Sequence, residues 1–538
     1  MKSRTLTFIT ATIVFAALAI SSPAQTDCSV ASPCFNSLFS FNGADGSSPN
    51  SVVQGLDGNF YGTTTYGGAN CQAFGGCGTV FKITPTGTLT TLYSLCRETN
   101  SDGVCTDGSS PNAGLVQGTD GNLYGTTFGG GTNGGGTIFK ITPNGALTTL
   151  YDFCSRANCA DGERPSEGVV QGTDGNFYGT TSAGGQEPDQ CSGLLPGIGC
   201  GTVFKITPAG RLTTLYSFCL KSTCTDGALP EAGLVEGSDG SFYGTTNFGG
   251  DEASQANCFI MDPFPPEYGC GTVFKITPAG RLKTLYSFCS TLEGSTCTDG
   301  AFPVATLVQG TDGNLYGTMF LGGTNGRGTI FKISPDGKLT TLYNFCSQAN
   351  CADGGFPKAG LVQGTDGNFY GITEAGGGGT FCEFDGCGTV FKISPDGKLT
   401  TLYNFCSQAN CADGEFPEAG LVQGTDGNFY GTTYEGGSNT GCYTGNGTCG
   451  TVFSLSVGLR PFVKTLPTSG KVGETVRILG TDLSNTTHVR FNHMEAEFKV
   501  ISESEIQTSV PDGATTGFVT VNRRGPRLKS NVPFQVLP

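Results

Sequence analysis

The 538-residue chain contains no tryptophan and only two histidines, His488 and His493, both within its last 80 residues. Its first 450 residues therefore offer no imidazole. That excludes Ser-His-Asp catalysis, Cys-His catalysis and histidine metal sites from most of the chain. Charge is also scarce, at 14% of residues, and positive charge scarcer: 29 Lys+Arg against 44 Asp+Glu leave a net charge of −15. Without basic clusters, nucleic acid and anionic lipid surfaces are not expected partners. No apolar period of 3.6 residues runs far enough for a useful helix, so an all-β chain is expected. What is abundant is glycine, with 87 residues, alongside 26 prolines and 24 cysteines. With 37% apolar and 10% aromatic residues, the chain has material for a core and is no disordered tail. Its length allows two or more domains.

The N-terminus reads as a secretory signal. Lys2 and Arg4 precede an apolar run from Leu6 to Ile20, and Ser22-Pro23-Ala24 supplies small residues for cleavage after Ala24. Residues 1–24 are thus expected to leave. A membrane anchor is the less favoured alternative, because no second apolar segment follows and no membrane span is expected after cleavage. Cys28 lacks a lipid-attachment context. The expected location is secreted, periplasmic or cell-surface, where disulfides are permissible.

Internal repetition dominates the rest. Asn-Phe-Tyr-Gly or a close variant occurs seven times, with tyrosines at 61, 124, 178, 243, 316, 370 and 430, and the stretch Ile333 to Gly354 recurs unchanged at Ile393 to Gly414. Each unit holds four short β-like runs separated by turn residues. In the sixth unit these are Gly360 to Gly364, Asn368 to Thr373, Gly388 to Ser394 and Lys398 to Phe405, with Pro395-Asp396-Gly397 as a tight turn. The seventh unit stops after its third run, Gly450 to Leu455, while Ser37 to Phe41 near the N-terminus matches a fourth run. A linear solenoid has no reason to split a repeat between its ends, whereas a ring gains a closed edge from it. The expectation is a seven-bladed β-propeller of four-stranded blades over residues 25–457, closed by the N-terminal strand. The absence of tryptophan argues against quinone-type propeller dehydrogenases and against WD and sialidase-type repeats.

In such a meander the short turns share one rim. The loops between runs two and three, and those between units, share the other. All length variation falls on the second rim, where a site is expected. Its cysteines occur as local pairs: Cys71–Cys77, Cys191–Cys200, Cys258–Cys270, Cys382–Cys387 and Cys442–Cys449 within units, and Cys96–Cys105, Cys154–Cys159, Cys219–Cys224, Cys289–Cys297, Cys346–Cys351 and Cys406–Cys411 between them. Cys28–Cys34 makes a twelfth pair. Cysteines absent in pairs imply disulfides; metal-thiolate sites are the less favoured reading, and neither a metal nor any other cofactor is expected.

Asp-Gly pairs recur in the first turn, from Asp57 to Asp426, and before each unit, from Asp45 to Asp413. They suit turns better than calcium, because no stretch has the alternating spacing of a calcium loop. A row of Gln54, Gln117, Gln171, Gln309, Gln363 and Gln423, with Glu236 in the fourth unit, either lines a channel or satisfies backbone groups between blades; the structural role is favoured. The lysines after the third-run phenylalanine, Lys82, Lys140, Lys205, Lys275, Lys332 and Lys392, read as solvated strand residues. The loop from Asn247 to Gly271 carries Phe259, Met261, Phe264 and Tyr268, which are candidates for ligand contact or for a plug over the ring.

The phrase Gly-Leu-Val-Gln-Gly-Thr-Asp-Gly-Asn-Phe-Tyr-Gly-Thr-Thr at Gly420 to Thr433, followed by Gly-Thr-Val-Phe, resembles the bacterial GloVer (Gloeo_Verruco) tandem repeat. The resemblance covers about residues 36–456. It implies export and carries over no activity. The chain departs from that pattern in having no C-terminal hydrophobic anchor. After Val457 cysteines cease and the local charge turns to +3, leaving about −20 on the repeats. Pro467 to Gly470, Gly473 to Gly480, Val489 to Phe491, Val510 to Gly513 and Gly517 to Val521 resemble an IPT/TIG domain, so residues 458–538 are expected to form a small immunoglobulin-like sandwich. His488 and His493 are expected at its surface or in packing rather than as a metal pair.

No catalytic constellation stands out, and no enzymatic activity is expected. The leading expectation is an exported binding or interaction protein that uses the variable rim for an extracellular glycan or protein. The alternatives are a polysaccharide hydrolase or lyase with paired carboxylates on that rim, and a structural surface protein without a specific ligand.

Overall fold

Each third run, such as Thr-Val-Phe-Lys-Ile at Thr389–Ile393, is buried on both faces except at its lysine. β-branched and aromatic residues on alternating sides suit a strand covered by sheets on either flank. A computed structural model shows how these strands assemble. It describes residues 28–538 apart from 30, 72–75, 187–190, 192–198, 252, 254–257, 259–268, 295, 379–381, 383–385 and 443–446. The N-terminal segment read as a signal lies outside the described residues.

The seven repeat units form seven antiparallel sheets. In the sixth, Val362–Gln363, Phe369–Thr373, Thr389–Ile393 and Leu399–Asn404 pair in chain order. The N-terminal strand, Cys34–Ser40, pairs antiparallel with Thr451–Ser456 and completes the seventh sheet, as the split repeat requires. Two details differ from the sequence reading. The first strand of each sheet is two residues long, shorter than the five-residue run (as at Val362–Gln363). At Gly360 the backbone lies close to the neighbouring unit, where a Cβ would stand 2.4 Å from the Thr306 carbonyl oxygen. The first sheet also gains a fifth strand, Ser47–Pro49, against the end of Phe60–Tyr66.

Neighbouring sheets meet through aromatic side chains. Tyr178 stacks on Phe242 at 3.9 Å between ring centroids, Tyr370 lies 4.1 Å from Phe429, and Tyr430 of the last unit lies 3.9 Å from Phe60 of the first. Each such pair adds about 0.5–1.5 kcal/mol beyond its buried area. The glutamine row supplies a second set of contacts. Its side-chain oxygens accept backbone N–H groups of the preceding sheet: Leu56 to Gln117, Thr119 to Gln171, Ser238 to Gln309, Thr311 to Gln363 and Thr365 to Gln423, at 2.8–3.1 Å. Glu236 does the same for Thr173. Gln54 accepts from Thr425 at 2.9 Å, so the last sheet meets the first by the contact that joins every other pair.

Residues Lys464 to Val536 form a β-sandwich. One sheet runs Lys464–Leu466, Thr475–Leu479, Glu505–Ser509, Phe498–Val500; the other runs Met494–Ala496, Thr486–Phe491, Val519–Arg523, Leu528–Lys529. Val476, Ile478, Leu483, Val489, Phe491, Val519 and Val521 fill its core. The sandwich rests on the short-turn rim of the repeats. Ser504 donates to the Leu56 carbonyl at 2.8 Å, Lys464 to that of Gln423 at 2.6 Å, and the Phe462 N–H to that of Thr425 at 2.9 Å. The variable rim is left clear of it.

Candidate functional site

The segments that lead into the first strands of six sheets converge on a cavity of about 650 Å³. Its wall is built from residues 49–53, 112–115, 305–308, 358–361 and 418–422 with Glu167, and Thr65, Tyr66 and Tyr434 stand at its edge. These residues precede the first strands, whereas the sandwich touches the turns that follow them. Cavity and sandwich therefore occupy opposite ends of the same short strands, and the cavity belongs to the variable-loop end.

The repeat scaffold holds most of this wall in one way. In five of the seven units a threonine of the second strand donates to a wall carbonyl of the next unit: Thr63 to Ala113 at 2.6 Å, Thr126 to Glu167 at 3.0 Å, Thr180 to Ala232 at 2.9 Å, Thr318 to Ala359 at 3.0 Å, and Thr432 to Asn50 at 3.2 Å. Thr245 makes no such bond, and the sixth unit carries Ile372 instead. The bond uses backbone oxygen only, so the side chain at this position is free to vary. It is alanine in most units, asparagine in the first and glutamate in the third. Burial pushes the Glu167 carboxyl up to about 7, against a weak 3.4 Å hydrogen bond from the Gly168 N–H. Among the described residues no ion pair reaches it.

Elsewhere on the wall lies a cation. Lys358 Nζ is 2.9 Å from Glu374 Oε1 and 2.9 Å from Glu418 Oε1. Burial works against its charge, but the two carboxylates outweigh that and raise its pKa. Burial in turn holds Glu374 above the usual carboxylate range. Glu231, the residue after proline in the fourth unit, is likewise raised by burial and accepts from Asn247 at 3.0 Å. The sequence reading singled out none of these groups. Their signal was present as departures from the repeat: the residue after the recurring proline is Asn50, Asn112, Ser166, Glu231, Val304, Lys358 or Glu418.

The motif residues have other tasks. Gln54 and its equivalents serve contacts between sheets. The lysine row is a correction: Lys82, Lys205, Lys275, Lys332 and Lys392 are not merely solvated but pair with the first-turn aspartates at 2.5–3.2 Å. Those aspartates also accept the tyrosine hydroxyl of the second strand, as Tyr178 to Asp174 at 2.8 Å. Most of the second aspartate row is buried and bonded by protein donors, although Asp45 is half-buried and Asp226 Oδ1 has no hydrogen-bond partner among the described residues. Asp353 accepts from Tyr343 and from Ser347 N and Oγ on one oxygen, and from the Gln348 N–H on the other. An aspartate bonded as Asp353 is has the hydrogen bonds of a turn residue and little capacity left for an ion.

The 24 cysteines form twelve disulfides: 28–34, 71–77, 96–105, 154–159, 191–200, 219–224, 258–270, 289–297, 346–351, 382–387, 406–411 and 442–449. Two adjoin in some units: Cys105 Sγ lies 3.9 Å from that of Cys71. The four sulfurs of Cys71, Cys77, Cys96 and Cys105 lie within 4.8 Å of one another, yet as disulfides they have no thiolate for a metal. So many disulfides indicate an oxidising location outside the cytoplasm. Among the described residues no helix is long and apolar enough to cross a membrane. Phe259, Met261, Phe264 and Tyr268 lie outside the described residues. His488 is exposed and 2.7 Å from Glu495, which Arg490 shares; the His493 N–H donates to the Phe491 carbonyl in a turn.

No curated protein matches the chain. Solved structures similar to it include a puromycin hydrolase, at 11% identity and a TM-score of 0.45 over 82% of this chain and 59% of that one. A luciferin-regenerating enzyme matches at 10% identity and 0.38, over 80% and 97% of the two chains. An α-L-arabinanase of Penicillium chrysogenum, complexed with arabinobiose, matches at 10% and 0.39, over 67% and 98%. Residues 28–257 and 255–458 match the Gloeobacter/Verrucomicrobia repeat, and residues 461–536 match the IPT/TIG domain. The chain belongs to the Gloeobacter/Verrucomicrobia repeat family and carries a C-terminal IPT/TIG domain.

Proposed function

We infer that the seven sheets make a seven-bladed β-propeller and that its central cavity, open toward the variable loops, is the binding site of an exported or cell-surface protein for an extracellular glycan. The observation that carries this reading is the wall itself. A repeat protein shows its own scaffold requirements by what recurs, and the cavity is where recurrence fails. Asn112, Lys358 and Glu418 stand at one equivalent position and Glu167 at the next, where most units carry alanine, while strands, turns and inter-sheet contacts stay constant. Variable side chains on a rigid frame are the usual form of a recognition surface. Amides, hydroxyls and the rings of Tyr66 and Tyr434 around 650 Å³ suit a hydroxylated ligand of a few sugar rings. The test is a screen of immobilised glycans against the oxidised full chain; saturable binding supports the reading.

A second reading is hydrolysis or elimination on a polysaccharide. One observation favours it: Glu167 is a carboxyl raised to about 7 inside a concave cavity, the state required of a general acid near neutral pH. Release of reducing ends from a bound glycan, lost in Glu167→Gln, would establish it. Binding without turnover leaves the first reading in place.

A further inference from the structure

The third unit alone sets a carboxylate into the cavity wall at the position where the other units carry alanine or, in the first, asparagine. The scaffold does not need it, because the hydrogen bond made there comes to the backbone oxygen. Nor does an ion pair among the described residues neutralise it: the cationic side chain on this wall, Lys358, is held by Glu374 and Glu418. The Glu167 side chain is half-buried and lines the cavity, and burial favours its protonated form, so its charge is best supported by a cation that enters the cavity. In an internally repeated wall, a residue that the scaffold does not need and its counterparts lack is best explained by what enters the cavity. Glu374 and Glu418 add further negative charge on the wall or beside it, and the repeat region carries about −20 overall, so the cavity draws cations and repels anions.

We propose that Glu167 is the anchor for a protonated primary amine, so that the ligand of this cavity is a glycan bearing free amino groups rather than an N-acetylated or acidic one. This rests on the glycan-binding reading above. The carboxylate would accept from the ammonium, and the amide of Asn112 and the hydroxyls at the cavity edge would orient the sugar rings. Because burial holds the proton on the Glu167 carboxyl to about pH 7, amine binding near that pH releases a proton from Glu167.

The experiment is calorimetric titration of the oxidised full chain at pH 6.5 with a tetramer of β-linked glucosamine and with its fully N-acetylated counterpart, in two buffers of different ionisation enthalpy. The expected result is saturable binding at one site, at least tenfold tighter for the amine form, with proton release in wild type. Glu167→Ala, which installs the residue found at most of the equivalent wall positions and so should fold, is expected to lower that affinity at least tenfold and abolish the proton release. Equal affinity for both tetramers, or amine binding unchanged in Glu167→Ala, would overturn the proposal while leaving glycan binding standing. Binding of neither tetramer would overturn it and remove these glycans from the wider reading as well.

Discussion

The side-chain oxygen of Gln54 accepts a hydrogen bond from the backbone N–H of Thr425 at 2.9 Å, across 371 residues of sequence. The same bond joins each earlier sheet to the next, with Glu236 standing in for glutamine between the third and fourth. Gln54→Ala strands the buried Thr425 N–H and is expected to cost about 1–3 kcal/mol. Glu236→Gln should act oppositely at neutral pH. Burial holds the Glu236 carboxyl above its usual range, against the bonds from Thr173, so its contribution is present at low pH and declines as pH rises through its folded-state pKa. Denaturant titration at pH 7 checks both signs.

Acid should loosen the repeats through the first-turn aspartates. Against the upward push of burial, bonds from Lys205, Asn176 and Tyr178 hold Asp174 at about 2, and Asp312 is held likewise by Lys332, Asn314 and Tyr316. A depressed carboxyl contributes stability that is present above its unfolded pKa, about 3.9, and lost as pH falls through the folded value. Melting temperature should fall between about pH 4 and pH 2. Asp174→Asn should be less stable than wild type at pH 6, with the difference shrinking toward pH 2.

Local disulfides predict a local mapping. Non-reducing digestion followed by mass spectrometry should recover pairs separated by 5–12 residues. Removing one pair, as in Cys346→Ala with Cys351→Ala, should cost roughly 2–3 kcal/mol in the chain-entropy picture, less any strain relieved.

The sandwich should dock in a pH-dependent way. Burial of Lys464 against the Gln423 carbonyl pushes its ammonium down to about 8, with Asp426 pulling upward. In the unfolded chain the same group keeps its proton to about 10.4. The folded state therefore binds fewer protons between those values, and stability gains with pH across that window. Lys464→Met should remove this part of the pH dependence, read as the difference in melting curves from wild type between pH 7 and pH 10.

Much of this architecture is legible from residues alone, because repetition supplies an internal comparison. Ser37 to Phe41 matched a fourth strand, and Cys34–Ser40 pairs with Thr451–Ser456. The pairing of the first strands is shorter than their apolar pattern: of Gly360 to Gly364 only Val362–Gln363 pairs, because pairing length depends on the neighbouring strand and is not written in the run itself. The lysine row was misread for a related reason: Lys205 and Asp174 are 31 residues apart, and only strand pairing brings them together. The cavity was hidden by attention to what recurs. Glu167 is a single departure from the repeat and Lys358 stands at a position that varies between units, and their importance comes from convergence on one cavity that no local pattern encodes.

The most direct test of the account is a glycan screen of the oxidised full chain beside Asn112→Trp, which sets an indole at an exposed position of the cavity wall without disturbing a buried residue. The account predicts saturable binding to a subset of glycans by wild type and its loss in the variant, with unchanged melting temperature. Glycan binding that survives Asn112→Trp would place recognition elsewhere on the molecule and contradict the central cavity as the site.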